Sequence, residues 1–265
     1  MTEKELIDKL QNYMTKVDYN SKTTELEVKA RINTAIKEIV SFSFLMPNQG
    51  KDFRFGQNRY VVLILLKMRK DIEAIIKKAV NYSTNISGRL NGALGMKASY
   101  WDTDKWVESR RYNKTYAQRL YTYTLRLKFE LEAYVAVGMV KGLTQNQITD
   151  WFMLNINSPH TVSEILDAQG YLAVRTSGIL LVGVGGITSA YKSINRLNRD
   201  MIMASYFISN NKTWGKNGLR KWILVQNDSK TCAACQANIG LTFPAEEFVS
   251  PLHPSCRCVE VPILE

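Results

Sequence analysis

The chain has 265 residues, 45% apolar and 10% aromatic, which excludes a disordered polymer and leaves room for one large or two small domains with real cores. Its formal charge of +11 is concentrated: residues 1–50 and 129–265 are balanced, whereas residues 51–128 carry seventeen basic against six acidic side chains. No apolar signal-peptide core follows the polar start Met1–Glu5, and the apolar runs Tyr60–Leu66 and Gly178–Tyr191 fall short of the roughly 20 residues that span a bilayer, so a protein held in a cytosol-like compartment, with no membrane partner, is expected.

Thr2 and Glu5 form a capping box, after which Leu6, Ile7, Leu10, Tyr13, Met14 and Val17 follow helical spacing. A second helix is expected from about Thr24 to Phe44, ended by Pro47 and Gly50. A third, about Arg59 to Tyr82, begins apolar all round, so its first half should be covered on several sides. Residues 83–103 are rich in Ser, Asn and Gly and read as a linker. Helix resumes from Asp104 through a Tyr-rich stretch to about Val140. Gly142 then stops it, and Thr144 with Gln147 caps a short helix through Leu154. Thr161 and Glu164 cap another helix beyond Pro159. Gly183, Gly185 and Gly186 resemble a dinucleotide fingerprint only superficially, because Thr188 occupies the third glycine position and no strand precedes them; close helix packing is the expected cause. From Lys221 the pattern changes to short β-type runs at Trp222–Val225, Leu241–Phe243 and Val259–Val261. The expected fold is mainly α, a long helical body with a small C-terminal Cys/His zinc-ribbon-like β module. The expected division is an N-terminal helical region at 1–100, a central helical region at 101–218 and the module at 219–265.

All four cysteines fall between residues 232 and 258. Cys232 and Cys235 are spaced as Cys-x2-Cys, and His253, Cys256 and Cys258 follow on a second short loop. Each loop offers two ligands, with room between for a hairpin return, which is the arithmetic of a tetrahedral sulfur and nitrogen site. Zinc suits mixed thiolate and imidazole ligands without redox chemistry, and a module this small would draw folding free energy from the metal. Five candidates compete for four places. Spacing favours Cys232, Cys235, His253 and Cys256, with Cys258 the alternative to the histidine. Two disulfides or simple buried thiols are the competing account. A redox Cys-x2-Cys is disfavoured, since no strand and helix flank it as a thioredoxin-like unit requires.

The run Leu219–Ile223, then Asp228–Cys235, Gly240, and Pro251–Cys258, resembles the C-terminal motif of the Mu-F-like minor head proteins, head morphogenesis proteins of tailed bacteriophages. A weaker similarity reaches upstream to a long helix followed by Gly142-Leu143-Thr144. Where the family carries an Arg-Thr-Glu helix, this chain has Arg199-Asp200-Met201-Ile202-Met203. The resemblance implies a virion component near the portal vertex, present in host cytoplasm during assembly and then in the head. It would act in head assembly and in DNA packaging or ejection. The implied partners are the portal protein, other virion proteins and further copies of this chain, and the metal module would be structural. An alternative is a ring or adaptor protein of the head–tail connector, whose long helices form repeated subunit contacts.

The basic block also allows non-specific contact with genomic DNA. Arg110, Arg111, Lys114, Arg119 and Arg126 interleave with Tyr112, Tyr116, Tyr121 and Tyr123, a mixture that neutralises phosphate and offers aromatic surfaces. Half-buried tyrosines and arginines paired to acidic neighbours would explain the same pattern. No enzyme is expected: only His160 and His253 are present, and no Ser/His/Asp set or phosphate loop appears. A metal-dependent nuclease would need an open metal position beside His253 and a carboxylate such as Asp228.

Overall fold

The computed structural model describes residues 2–47, 53–99, 101–110, 113–159, 189–219, 221–225, 233–244 and 258–263. Within them the chain is mainly helical and ends in a small antiparallel sheet. The elements are α1 (Glu3–Ser43), α2 (Arg59–Ala93), α3 (Thr103–Glu108), α4 (Tyr116–Val140), α5 (Gln145–Asn155), α6 (Ala190–Lys216), β1 (Lys221–Val225), α7 (Ala233–Gln236), β2 (Thr242–Pro244) and β3 (Val259–Pro262).

The first two expected helices are one. The polar stretch between them holds no proline or glycine, and its side chains serve the helix. Lys22 pairs with Asp18 one turn back at 2.8 Å, and the Thr23 and Thr24 hydroxyls donate to the carbonyls of Tyr19 and Asn20 at 3.1 and 2.8 Å. The Asn20 amide donates to the Ala79 carbonyl on α2 at 3.0 Å.

The expected linker at 83–103 is helical to Ala93. Its polarity misleads because Ser83, Ser87 and Asn91 are buried and bonded. Ser87 donates to Asn210 Oδ1 on α6 at 2.6 Å, Asn91 Nδ2 donates to the same oxygen at 2.9 Å, and Asn91 Oδ1 accepts from Trp214 Nε1 at 2.8 Å. Paired in this way, buried carboxamides avoid the desolvation penalty that would otherwise forbid them.

The helix expected from Asp104 to Val140 is broken in two. Asn113 sits in the left-handed region at φ 63°, and Thr115 opens α4 with a complete capping box to Gln118. Gly142 does stop α4, at φ 69°, and Thr144 with Gln147 forms the capping box of α5. At the crossing of these two helices Gly138 is needed for contact: a Cβ there would lie 2.5 Å from Ile148 Cγ1. The Thr161–Glu164 cap and the glycine run at 178–188 lie outside the described residues.

The chain divides into two compact units, each assembled from separate segments. Unit 1 comprises Met1–Leu26, Ala74–Ser109 and Arg196–Glu265, and unit 2 comprises Glu27–Glu73 and Arg110–Asn195. In unit 2, the buried residues recur at helical spacing, as in Val28, Ile32, Ile36, Ile39 and Val40 on α1 and Val61, Ile64, Leu65, Met68 and Ile72 on α2. The expectation that the start of α2 is covered on several sides is met only in part, because Val62, Leu63 and Leu66 remain 38–50% exposed. In unit 1, the sheet has the order β2-β1-β3. Its registers pair Trp222 with Phe243 and Ile223 with Val261. Trp222 and Leu224 are fully buried while Ile223 and Val225 are half-buried, the period-2 alternation of a strand with one face inward. Among the described residues no helix is long and apolar enough to cross a membrane.

Candidate metal centre

The C-terminal sheet forms because each strand is a short β-favouring run whose neighbours close it by backbone bonds. Gly240, left-handed at φ 80°, donates its N–H to the Leu224 carbonyl at 2.9 Å and so turns the chain from α7 into β2. At the other edge the Ile263 N–H donates to the Lys221 carbonyl at 3.1 Å. Trp222 stacks on Phe243 across the sheet, ring centroids 4.6 Å apart.

Two candidate ligands are placed by this frame. Cys235 lies on the single turn α7, whose backbone folds tightly over it: the N–H groups of Asn238 and Ile239 donate to its carbonyl at 3.0 and 3.1 Å. Cys258 immediately precedes β3. Separated by more than twenty residues in sequence, both thiols enter one buried cluster with Trp214, Trp222 and Leu224, bordered by Met96, Leu219 and Phe243. They are not joined in a disulfide. Cys232, His253 and Cys256, with Asp228 of the nuclease alternative, lie outside the described residues, and no cluster of three or more His, Cys, Asp or Glu occurs among the described ones.

The donors that are described fit zinc in two respects. Both are soft sulfur donors, and they join one cluster from a turn and a strand start, the two places to which the remaining candidates are tethered within a few residues of sequence. Thiolates in so apolar a cluster would need a cation beside them, because burial disfavours an uncompensated charge. The two tryptophans that wall the cluster were not singled out by spacing. Trp214 precedes the module and is fixed by its bond to Asn91 of α2, a partner more than a hundred positions away.

The residues proposed from sequence to meet nucleic acid are separated by the fold of unit 2. Arg110 and Lys114 are exposed, and Arg119 is half-buried. Arg111 lies outside the described residues. Arg126 does not belong to such a surface: it is 5% exposed and its Nε donates to Glu130 Oε1 at 3.0 Å. Glu130 in turn accepts the Ala190 N–H at the start of α6, at 3.0 and 3.2 Å through its two oxygens. The interleaved tyrosines divide likewise. Tyr116 is fully buried, and burial holds its phenol well above the ordinary value, so it stays neutral. Tyr121 is 48% exposed, and the Arg69 guanidinium lies over its ring at 4.7 Å.

A second buried carboxylate organises the same helix. Glu132 accepts the Phe55 N–H at 2.6 Å and faces Arg54 at 3.8 Å, while Lys128 donates to the Gly56 carbonyl. Burial raises the Glu132 carboxyl above its ordinary value, partly offset by the Phe55 bond and by the Arg54 and Lys128 charges. These groups tie the 53–56 loop to α4, so part of the basic surplus neutralises buried acids.

A scan against protein-family models, a search of curated proteins and a search of solved structures each return no match to this chain.

Proposed function

We propose that this chain is a structural virion protein of the Mu-F-like minor head type, associated with the portal vertex and acting in head assembly and in the packaging or ejection of DNA. The observation that carries the reading is the C-terminal module. The motif that prompts the resemblance, Cys232-x2-Cys235 followed by His253 to Cys258, includes two described cysteines, Cys235 and Cys258, that share one buried cluster beside a three-stranded sheet. In this reading the module is a zinc-ribbon-like element, with zinc held by four of Cys232, Cys235, His253, Cys256 and Cys258. Its role is structural, and a filled four-ligand site leaves no open position for a catalytic water. Association with further copies and with portal or other virion proteins draws support from the exposed apolar ridge of Val62, Leu63 and Leu66 on α2. Contact with genomic DNA, if made in the 110–126 segment, falls to Arg110 and Lys114 and to their neighbours Arg111 and Arg119, without Arg126.

Two measurements test this. Elemental analysis of the purified, reduced protein should find about one zinc per chain, lost in Cys232→Ser. Quantitative mass spectrometry of purified phage heads assembled with this chain should find it at a few copies per particle. A copy number matching a connector ring would instead favour the ring or adaptor reading. Absence from the particles would overturn both.

A further inference from the structure

We propose that a cleft in unit 1, formed by α2, Ala98, Ser99, Trp101 and α6, is a binding site for a phosphate group. Its volume is about 540 Å³, larger than a single phosphate and large enough to admit the sugar of a phosphate ester. Asn81, Asn85, Gly88 and Arg89 line it from α2, at the spacing of one helix face. Ser99 and Trp101 line it from beyond α2, and Ser209 and Thr213 from α6.

The lining is rich in unused donors. Trp101 Nε1 is buried and finds no acceptor among the described residues. Ser209 is 4% exposed and brings a hydroxyl to the lining. Thr213 Oγ1 accepts the Ser99 N–H at 3.2 Å, which leaves its own proton to give. Arg89 is exposed and has no carboxylate partner among the described residues. No lining residue is acidic. The nearest carboxylates in sequence are engaged elsewhere: Asp102 caps α3 by accepting the Lys105 N–H at 2.9 Å, and Asp104 pairs with Lys77 at 2.9 Å.

A cluster of donors with a guanidinium and no carboxylate selects an oxyanion, and phosphate presents enough acceptor oxygens to meet several at once. A neutral sugar fits less well. It would want acceptors beside the donors and an open aromatic face, whereas the Trp101 ring already carries the Lys212 ammonium at 5.0 Å and the Trp106 ring at 5.4 Å. Lys212 also adds positive charge. Gly88 borders open space, since a Cβ built there meets nothing within 4 Å.

The inference stands independently of the head-protein reading. The test follows the Trp101 indole N–H in the proton–nitrogen spectrum of the full chain, identified by its loss in Trp101→Phe. The chain is titrated with inorganic phosphate and, separately, with a short single-stranded oligothymidylate. A saturable shift of this resonance is expected. Arg89→Ala should weaken the response about ten-fold by removing one charge-assisted contact. Gly88→Leu, which favours helix and takes away no donor, should weaken it by crowding the space. A shift with the oligonucleotide alone assigns the site to a nucleic-acid backbone. A shift with inorganic phosphate alone assigns it to free phosphate or a small ester. A resonance unmoved by either probe, or a response unchanged in both variants, overturns the proposal.

Discussion

Arg126 was grouped by sequence with cations that could meet DNA, and the structure gives it a different task that can be measured. Its guanidinium is 5% exposed, Glu130 is fully buried, and their contact is 3.0 Å. In Arg126→Met the Glu130 carboxylate stays in the interior without the guanidinium that faces it. Removing one member of a buried pair costs about 3–5 kcal/mol. Glu130→Met should cost at least as much, because it also strips the N–H of Ala190 of its acceptor, a loss of about 1 kcal/mol on the scale of helix caps. The double variant removes both charges together and should recover most of the loss, the more so because Arg126 Nη2 finds no acceptor among the described residues. Urea unfolding of the four proteins at neutral pH gives the cycle, with a coupling of several kcal/mol expected. A second readout separates stability from surface charge: the salt dependence of binding to a DNA duplex should be the same for wild type and Arg126→Met. Additive and small effects, under about 0.5 kcal/mol each, together with a salt slope reduced by about one, would refute the reasoning and return Arg126 to the surface.

Two further outcomes follow from packing and protonation in unit 2. Gly138→Ala should destabilise by about 1–3 kcal/mol, because the new methyl meets Ile148, and Ile148→Ala in the same chain should relieve much of that strain in thermal or urea unfolding. Glu132 has a folded carboxyl raised above the ordinary value near 4.5. The folded state therefore holds this proton more tightly than the unfolded chain, and the group's contribution to stability falls as pH rises from about 4.5 through the folded value. Wild type should lose stability over that interval relative to Glu132→Gln; parallel pH profiles would show that the carboxyl is not held in this way.

Much of the secondary structure follows from short-range rules that act within a few residues. The Thr144–Gln147 capping box, the stop at Gly142 and the β-type runs at Trp222, Thr242 and Val259 are visible in sequence because caps, left-handed turns and strand alternation are local. Two of the errors share one cause. Ser83, Ser87 and Asn91 read as linker because side-chain polarity ordinarily means water, and only Asn210 and Trp214, far along the chain, show that their polar groups are met inside. The gap near Asn20 closed for the same reason, its amide finding Ala79 and Ser83. The +11 charge was legible, but its division between surface and interior was not: the Arg126–Glu130 pair is local to one helix, whereas its burial, and the Gly56 carbonyl that accepts from Lys128, come from packing. The cysteine spacing by itself picks out the residues proposed to hold a metal. That Cys235 and Cys258 enter the same cluster, against Trp214 and Trp222, was decided only by tertiary packing, because pattern within one segment carries no information about which distant segment will cover it.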